Sequence, residues 1–195
     1  LSENVVSALS LHFAPGWTGI VGPNGSGKTT IAKLATGMLT PERGAVVSTR
    51  PGSSALYCEQ STSTPPLETA DFYSGESNTA GELMSLLELG RDWPERWGTI
   101  SHGERKRLQI AVAIWLDPEL LALDEPTNHL DSRARGLVLD ALRTFHGTGI
   151  LISHDRDLLD SLCGRTVFVS PGSIITRPGG FTAGIGQEKL DGMTR

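Results

Sequence analysis

The stretch that most restricts the possible folds is Gly22-Pro23-Asn24-Gly25-Ser26-Gly27-Lys28-Thr29. It has the spacing G-x-x-x-x-G-K-[ST] and joins an apolar run, Trp17–Val21, to a segment of helical periodicity. The run follows the turn-forming pair Pro15-Gly16 and reads as a strand. Ile31, Leu34, Ala35 and Met38 recur at i, i+3, i+4, i+7, so they share one face of a helix. Glycines let a backbone wrap closely around an anion and aim its N–H groups inward at a helix start. Lys28 can offset phosphate charge, and the Thr29 hydroxyl can ligate Mg²⁺. An ordinary glycine-rich turn is the bland alternative. The flanking strand and helix, with an acidic strand downstream, favour phosphate binding.

That acidic strand is Leu120–Asp131, LLALDEPTNHLD. Four apolar residues run into Asp124 and Glu125 and are stopped by Pro126, the pattern of a buried parallel strand ending at the carboxyl edge of a sheet. Open α/β sheets place their ligands at that edge. Two adjacent carboxylates are costly to bury together unless a cation or a proton divides their duties. The division expected here gives Asp124 to a metal and leaves Glu125 to handle water.

Bulk properties exclude several classes. The 195 residues fit one domain with a substantial core. No apolar run is long enough for a membrane-spanning helix, and LSENVVSALSLHFAPG has no basic start of the kind a secretory signal carries. A net charge of −5 gives no general attraction to nucleic acid or anionic lipid. Cys58 and Cys163 are too few for a disulfide framework and read as packing residues, so a cytoplasmic setting is expected. The chain begins at Leu1, not Met, and truncation at its start is expected.

Along the chain, Ala45–Ser48 and Ser54–Cys58 are strand candidates, the second leading to Glu59-Gln60. Residues 61–82, rich in Ser, Thr, Pro, Glu and Gly, read as a flexible connection. Glu82–Leu89 is a short helix candidate closed by Gly90. A further helix opens after Ile100 and runs to about Leu116, with Ser101 and Glu104 at capping-box spacing. Its Arg105-Lys106-Arg107 run reads as a solvated face. Arg133–Phe145 and Asp157–Leu162 have helical patterns, while Gly149–Ser153 and Thr166–Ser170 read as strands, the first delivering His154-Asp155 to the same sheet edge. The segment from Pro171 reads as a Gly- and Pro-rich tail. Alternating strands and helices predict an α/β protein: a three-layer core (1–60 and 118–178) with a mainly parallel sheet and an α-helical insertion over 61–117. Residues 179–195 are expected to be a tail or the start of a linker.

The order GPNGSGKTT, Gln60, ISHGE, LLALDEPTNHLD and LISHDRDLLD resembles the nucleotide-binding cassette of ATP-binding cassette (ABC) proteins, over roughly residues 5 to 175. EPTNHLD followed by SHDRDLLD is similar to the ABC-F branch, whose soluble members act on the ribosome. Gly179-Gly180-Phe181-Thr182 and Gln187-Glu188-Lys189 resemble the linker entry after that branch's first cassette. The resemblance implies a P-loop NTPase fold and a Mg²⁺-dependent ATPase. Residues Gly22 to Thr30 would hold ATP, with Thr29, Gln60 and Asp124 toward Mg²⁺. Glu125 would be the base, assisted by Gln60 and by His154 as the switch histidine at the γ-phosphate. Ser101, His102, Gly103 and Glu104 fall on the signature that grips ATP on an opposite cassette, and Ser101 reads equally as a helix cap. Asn128, His129, Leu130 and Asp131 would cross that dimer interface.

Three departures from the family pattern are visible. His102 stands where a glycine is usual, the short stretch before Trp17 is expected to be too little chain to hold the aromatic residue that stacks on adenine, and one cassette is present where ABC-F proteins carry two. The implied partners are a second cassette, as a homodimer or a tandem domain, and the ribosome, with antibiotic resistance by ribosome protection as one role. The alternative is the ATP-binding subunit of a membrane transporter with membrane subunits as partners. A nucleotide-binding module with little turnover is the third reading.

Overall fold

In the computed structural model, which describes residues 9–48, 52–75 and 77–186, the strand carrying the glycine loop and the strand carrying the acidic pair lie in one sheet. Gly16–Val21 forms β1, Ala55–Cys58 β2, Leu120–Asp124 β3, Thr148–Ile152 β4, Cys163–Ser170 β5 and Ser173–Pro178 β6. The order is β2-β3-β4-β1-β5-β6. All neighbours are parallel except β6, which folds back antiparallel on β5 through a turn at Pro171-Gly172. The carboxyl ends of β1, β3 and β4 therefore open onto one edge, where the glycine loop, Asp124-Glu125 and His154 sit.

Side-chain alternation along each strand builds two cores. On one face Ile20, Ala122, Ile150, Ile152, Val167 and Val169 pack against Ile31 and Ala32 of α1, Lys28–Ala35. On the other, Leu121, Leu123 and Leu151 meet the helices Thr69–Ser74 (α2), Asn78–Leu86 (α3), His102–Trp115 (α4), Ser132–Arg143 (α5) and Arg156–Leu162 (α6) through one continuous apolar cluster. Within α5, Ala134, Val138, Ala141 and Leu142 supply the buried stripe, and Asp131 Oδ1 caps it by accepting from Ala134 N–H at 2.8 Å. Trp17 anchors β1 to α5, its indole N–H donating to Leu142 O at 3.0 Å while its ring meets Phe145 at 5.6 Å.

Several expectations are corrected. Residues 45–48 form no strand and are exposed. Val46 and Val47 have the composition of a strand, but β propensity is realised only against a pairing neighbour. The segment 61–82 is not a plain connection: α2 and the start of α3 lie in it, anchored by Phe72, Ala80 and Leu83, all buried. The helix expected over Glu82–Leu89 runs over Asn78–Leu86 instead, and the left-handed Glu88, φ 51°, turns the chain out of it. α1 stops at Ala35, with Gly37 at φ 75°, so Met38 lies outside the helical stripe and 60% exposed. The segment from Pro171 contains β6, and 181–186 is helical. Phe181 packs on Phe168 under the Arg156 guanidinium, and Asp160 receives Thr182 N–H at 2.8 Å. Gln187, Glu188 and Lys189 lie outside the described residues.

The Arg105-Lys106-Arg107 run is not a solvated face. Lys106 is 1% exposed, and its ammonium donates to Glu59 O (3.0 Å), Gln60 O (2.9 Å) and Gln109 Oε1 (2.8 Å). The two arginines are half-buried, Arg105 over Trp97 at 5.8 Å and Arg107 over Trp93 at 5.0 Å. Long cationic side chains here cover indole surface while keeping hydrogen-bond partners.

Candidate nucleotide site

The glycine loop is shaped by positions that only glycine fits. Gly27, φ 97°, is the left-handed entry to α1. At Gly22 a Cβ would lie 2.1 Å from Val169 O on β5, so the loop leaves β1 pressed against its neighbour. The first turn of α1 holds no acidic residue, which leaves its N–H groups available to an anion. Lys28 is 8% exposed, and its Nζ donates to Gly22 O (2.8 Å) and Pro23 O (2.9 Å), fixing an ammonium over the loop. Ser26 Oγ is buried and without a hydrogen-bond partner, as a hydroxyl meant for a ligand oxygen would be. The loop fits a phosphate chain.

The loop and the acidic strand meet. Thr29 Oγ1 donates to Asp124 Oδ2 at 2.7 Å, linking residues 95 apart in sequence. A hydroxyl and a carboxylate side by side are hard oxygen donors of the kind Mg²⁺ takes alongside substrate phosphates. Tyr57 O–H donates to the same Oδ2 at 2.8 Å. Burial, and then the bond to Asp124, push the Tyr57 pKa up, so it remains a donor.

Glu125 leaves β3 in a left-handed conformation, φ 49°, which ends the strand's alternation at the sheet edge. Its N–H donates to Ile152 O at 2.8 Å, tying the corner to the end of β4. The carboxylate faces His154: Oε2 accepts from His154 N–H at 3.4 Å and Oε1 lies 3.5 Å from Nε2. Burial raises the Glu125 pKa, with Asp124 adding to the rise and His154 and Lys28 opposing it. A carboxylate of raised pKa beside an imidazole is an arrangement suited to general-base chemistry.

The remaining predicted residues are placed less uniformly. Gln60 is exposed, and its backbone carbonyl accepts from Lys106 Nζ at 2.9 Å. Ser101 and Glu104 form a capping box on α4, with Ser101 N–H to Glu104 Oε2 at 2.7 Å and Glu104 N–H to Ser101 Oγ at 3.2 Å. His102 is exposed at that helix start, its ring edge-on to His129 at 5.8 Å, and burial followed by Lys106, His129 and Arg105 lowers its pKa. Leu130 is buried, close enough that a Cβ on Gly103 would stand 3.2 Å from its Cδ2. Asp131 caps α5 and is exposed together with His129, while Asn128 is half-buried.

Two contributors escaped the sequence reading, Tyr57 and Lys106. Tyr57 shares a strand face with the end of β3, which period-2 alternation would have exposed once β2 and β3 were paired. Lys106 carried no such signal. Burial pushes its pKa down to about 8 from the ordinary 10.5. Between those values the unfolded chain holds a proton that the folded chain has released, so this group makes stability rise with pH across that window. The buried Cys58 thiol, pushed up to about 12, acts in the opposite direction. The readout is therefore a difference: parent stability relative to Lys106→Met should climb from pH 8 to 10.5, on the order of 3 kcal/mol in urea denaturation. A flat difference would place Lys106 in a solvated setting.

Comparison with known proteins follows the same lines. The family model described as ABC transporter matches residues 6–128. The ATP-binding protein Uup of Caulobacter vibrioides is 35% identical, over 84% of this chain and 29% of its own length. The tylosin resistance ATP-binding protein TlrC of Streptomyces fradiae is 31% identical, over 92% and 42%. The ribosome protection protein VmlR of Bacillus subtilis is 34% identical, over 80% and 29%. The chain thus spans less than half the length of each of these curated relatives. Among solved structures, the dimeric ATP-binding cassette MJ0796 in a post-hydrolysis state bound to ADP and Pi superposes with a TM-score of 0.71 at 20% identity. That match covers 93% of this chain and 95% of the other, and shows a shared fold.

Proposed function

The chain belongs to the ABC transporter family as one of its ATPase domains, and from that premise we propose a Mg²⁺-dependent ATP switch that closes on a second cassette and acts on the ribosome. The observation that carries the chemistry is the Thr29–Asp124 hydrogen bond, which sets the phosphate loop against the acidic corner. Lys28 and the loop N–H groups hold the β- and γ-phosphates. Thr29 and Asp124 would hold Mg²⁺, which when bound offsets charge on the transferring phosphoryl group. Glu125 takes the proton of the attacking water, and His154 orients Glu125 and meets the γ-phosphate. Gln60, exposed at the end of β2, would swing toward the site as the cassette closes.

The second cassette supplies what one chain lacks. Ser101 to Glu104 lie at a helix start on the surface, suited to a phosphate held by a partner, and Asn128 and His129 adjoin them. ATP bound between two such surfaces favours the closed pair, and hydrolysis removes that preference. The ribosome is proposed as the target because VmlR is a ribosome protection protein and TlrC a tylosin resistance protein, and because the EPTNHLD and SHDRDLLD stretches resemble the ABC-F branch. A cytoplasmic site of action goes with that reading. No helix among the described residues is long and apolar enough to cross a membrane.

The test is co-sedimentation with a non-hydrolysable ATP analogue, offering the protein ribosomes and, separately, membranes. Retention on ribosomes that requires the analogue and is lost with ADP is the expected result. Retention on membranes alone would replace the ribosomal reading with that of a transporter subunit.

A further inference from the structure

Tyr57 lies three positions before Gln60 on the edge strand β2. It is aligned with Ala122 of β3, and Asp124, two residues further along, faces the same side of the sheet. That diagonal separation is one a long aromatic side chain spans. The Tyr57 hydroxyl reaches Asp124 Oδ2 at 2.8 Å, and Thr29 Oγ1 reaches the same oxygen at 2.7 Å. A carboxylate oxygen offers two lone-pair sites, so two O–H donors saturate Oδ2. The rotation of the carboxylate is thereby set from two sides, by the start of α1 and by β2. Lys33 Nζ, 5.4 Å from the centroid of the Tyr57 ring, holds the phenol on the α1 face.

We propose that Tyr57 is a positioning residue for Mg²⁺: its hydroxyl fixes the rotation of Asp124 so that Oδ1 is the oxygen presented to the cation. This rests on the assignment of Thr29 and Asp124 to Mg²⁺ above. Without the phenol, Oδ2 keeps one donor, the carboxylate gains a rotation, and its second oxygen competes for the ion. Partners that orient a metal-binding carboxylate commonly change metal affinity without altering the ligand set.

Tyr57→Phe removes the donor and keeps the ring under Lys33. Affinity for a fluorescent ATP analogue would be measured on the full chain with Mg²⁺ and with EDTA, alongside thermal unfolding. The expected result is unchanged affinity in EDTA and a loss on the order of tenfold in the enhancement that Mg²⁺ confers. In an Asp124→Asn background the same substitution should cause no further loss. An enhancement equal to the parent's overturns the proposal, as does an equal loss with and without Mg²⁺, which would make the hydroxyl a support for the fold. A parent that shows no Mg²⁺ enhancement overturns the metal assignment itself and this proposal with it.

Discussion

Glu125→Gln is expected to leave ATP affinity within a few fold of the parent and to lower turnover by on the order of 10² to 10⁴. The amide keeps an oxygen for the His154 N–H, at 3.4 Å in the parent, and keeps the shape of the side chain. It cannot accept the water proton. Binding is expected to be spared because Lys28 and Thr29, the groups proposed to hold phosphate and Mg²⁺, contact Gly22, Pro23 and Asp124 instead. Phosphate release under single turnover, with the second cassette present, measures the loss. With hydrolysis blocked, the closed ATP-bound pair should accumulate and elute earlier on gel filtration. Turnover equal to the parent's would remove Glu125 from the chemistry and leave its strained φ of 49° to be explained as a corner of the fold.

Lys28→Ala acts at the other end of the site and should weaken ATP binding by roughly 10- to 100-fold, the loss of one or two charge-assisted hydrogen bonds. The expected effect has two sources. One is the missing ammonium, which no other side chain in Gly22–Thr30 replaces. The other is internal, because Nζ also ties down the carbonyls of Gly22 and Pro23. Lys28→Met does not separate them, since it fills the volume but restores neither the charge nor the bonds. Titration with a fluorescent ATP analogue reads the loss directly. Affinity unchanged in Lys28→Ala would mean that phosphate does not lie at this loop.

What could be read from sequence was what is local in sequence. The glycine loop, the Asp124-Glu125 corner and the strands on which they sit are each written in contiguous residues, with a turn former at one end and apolar residues inside. The contacts that connect them were illegible. Tyr57 meets Asp124 across 67 positions and Lys106 meets Glu59 across 47, and neither residue carries a mark distinguishing it from a surface tyrosine or lysine. Composition misled in both directions. The polar stretch 61–82 hid Phe72, the one buried apolar residue of the short helix α2, whereas Val46-Val47 had strand chemistry but stays exposed and forms no strand. The basic run at 105–107 failed as a surface signal because Trp93 and Trp97, about ten residues earlier, supply aromatic faces that charge counting ignores.

The order of the sheet has a consequence for how the site comes into being. β1 carries the phosphate loop, yet its two ladder partners, β4 and β5, are the strands 148–152 and 163–170. The loop itself leans on β5, where Val169 O occupies the space beside Gly22. A polypeptide leaves its exit tunnel from the N-terminus. Until residues 148–170 emerge, then, the glycine loop, α4 and the acidic strand have no sheet that holds β1 in register. The site as it is assembled here therefore waits for β4 and β5. A product ending after Asp131 would carry nearly every recognisable motif and form no site, because β4 has to enter between β3 and β1 before the loop and the carboxylates can face each other.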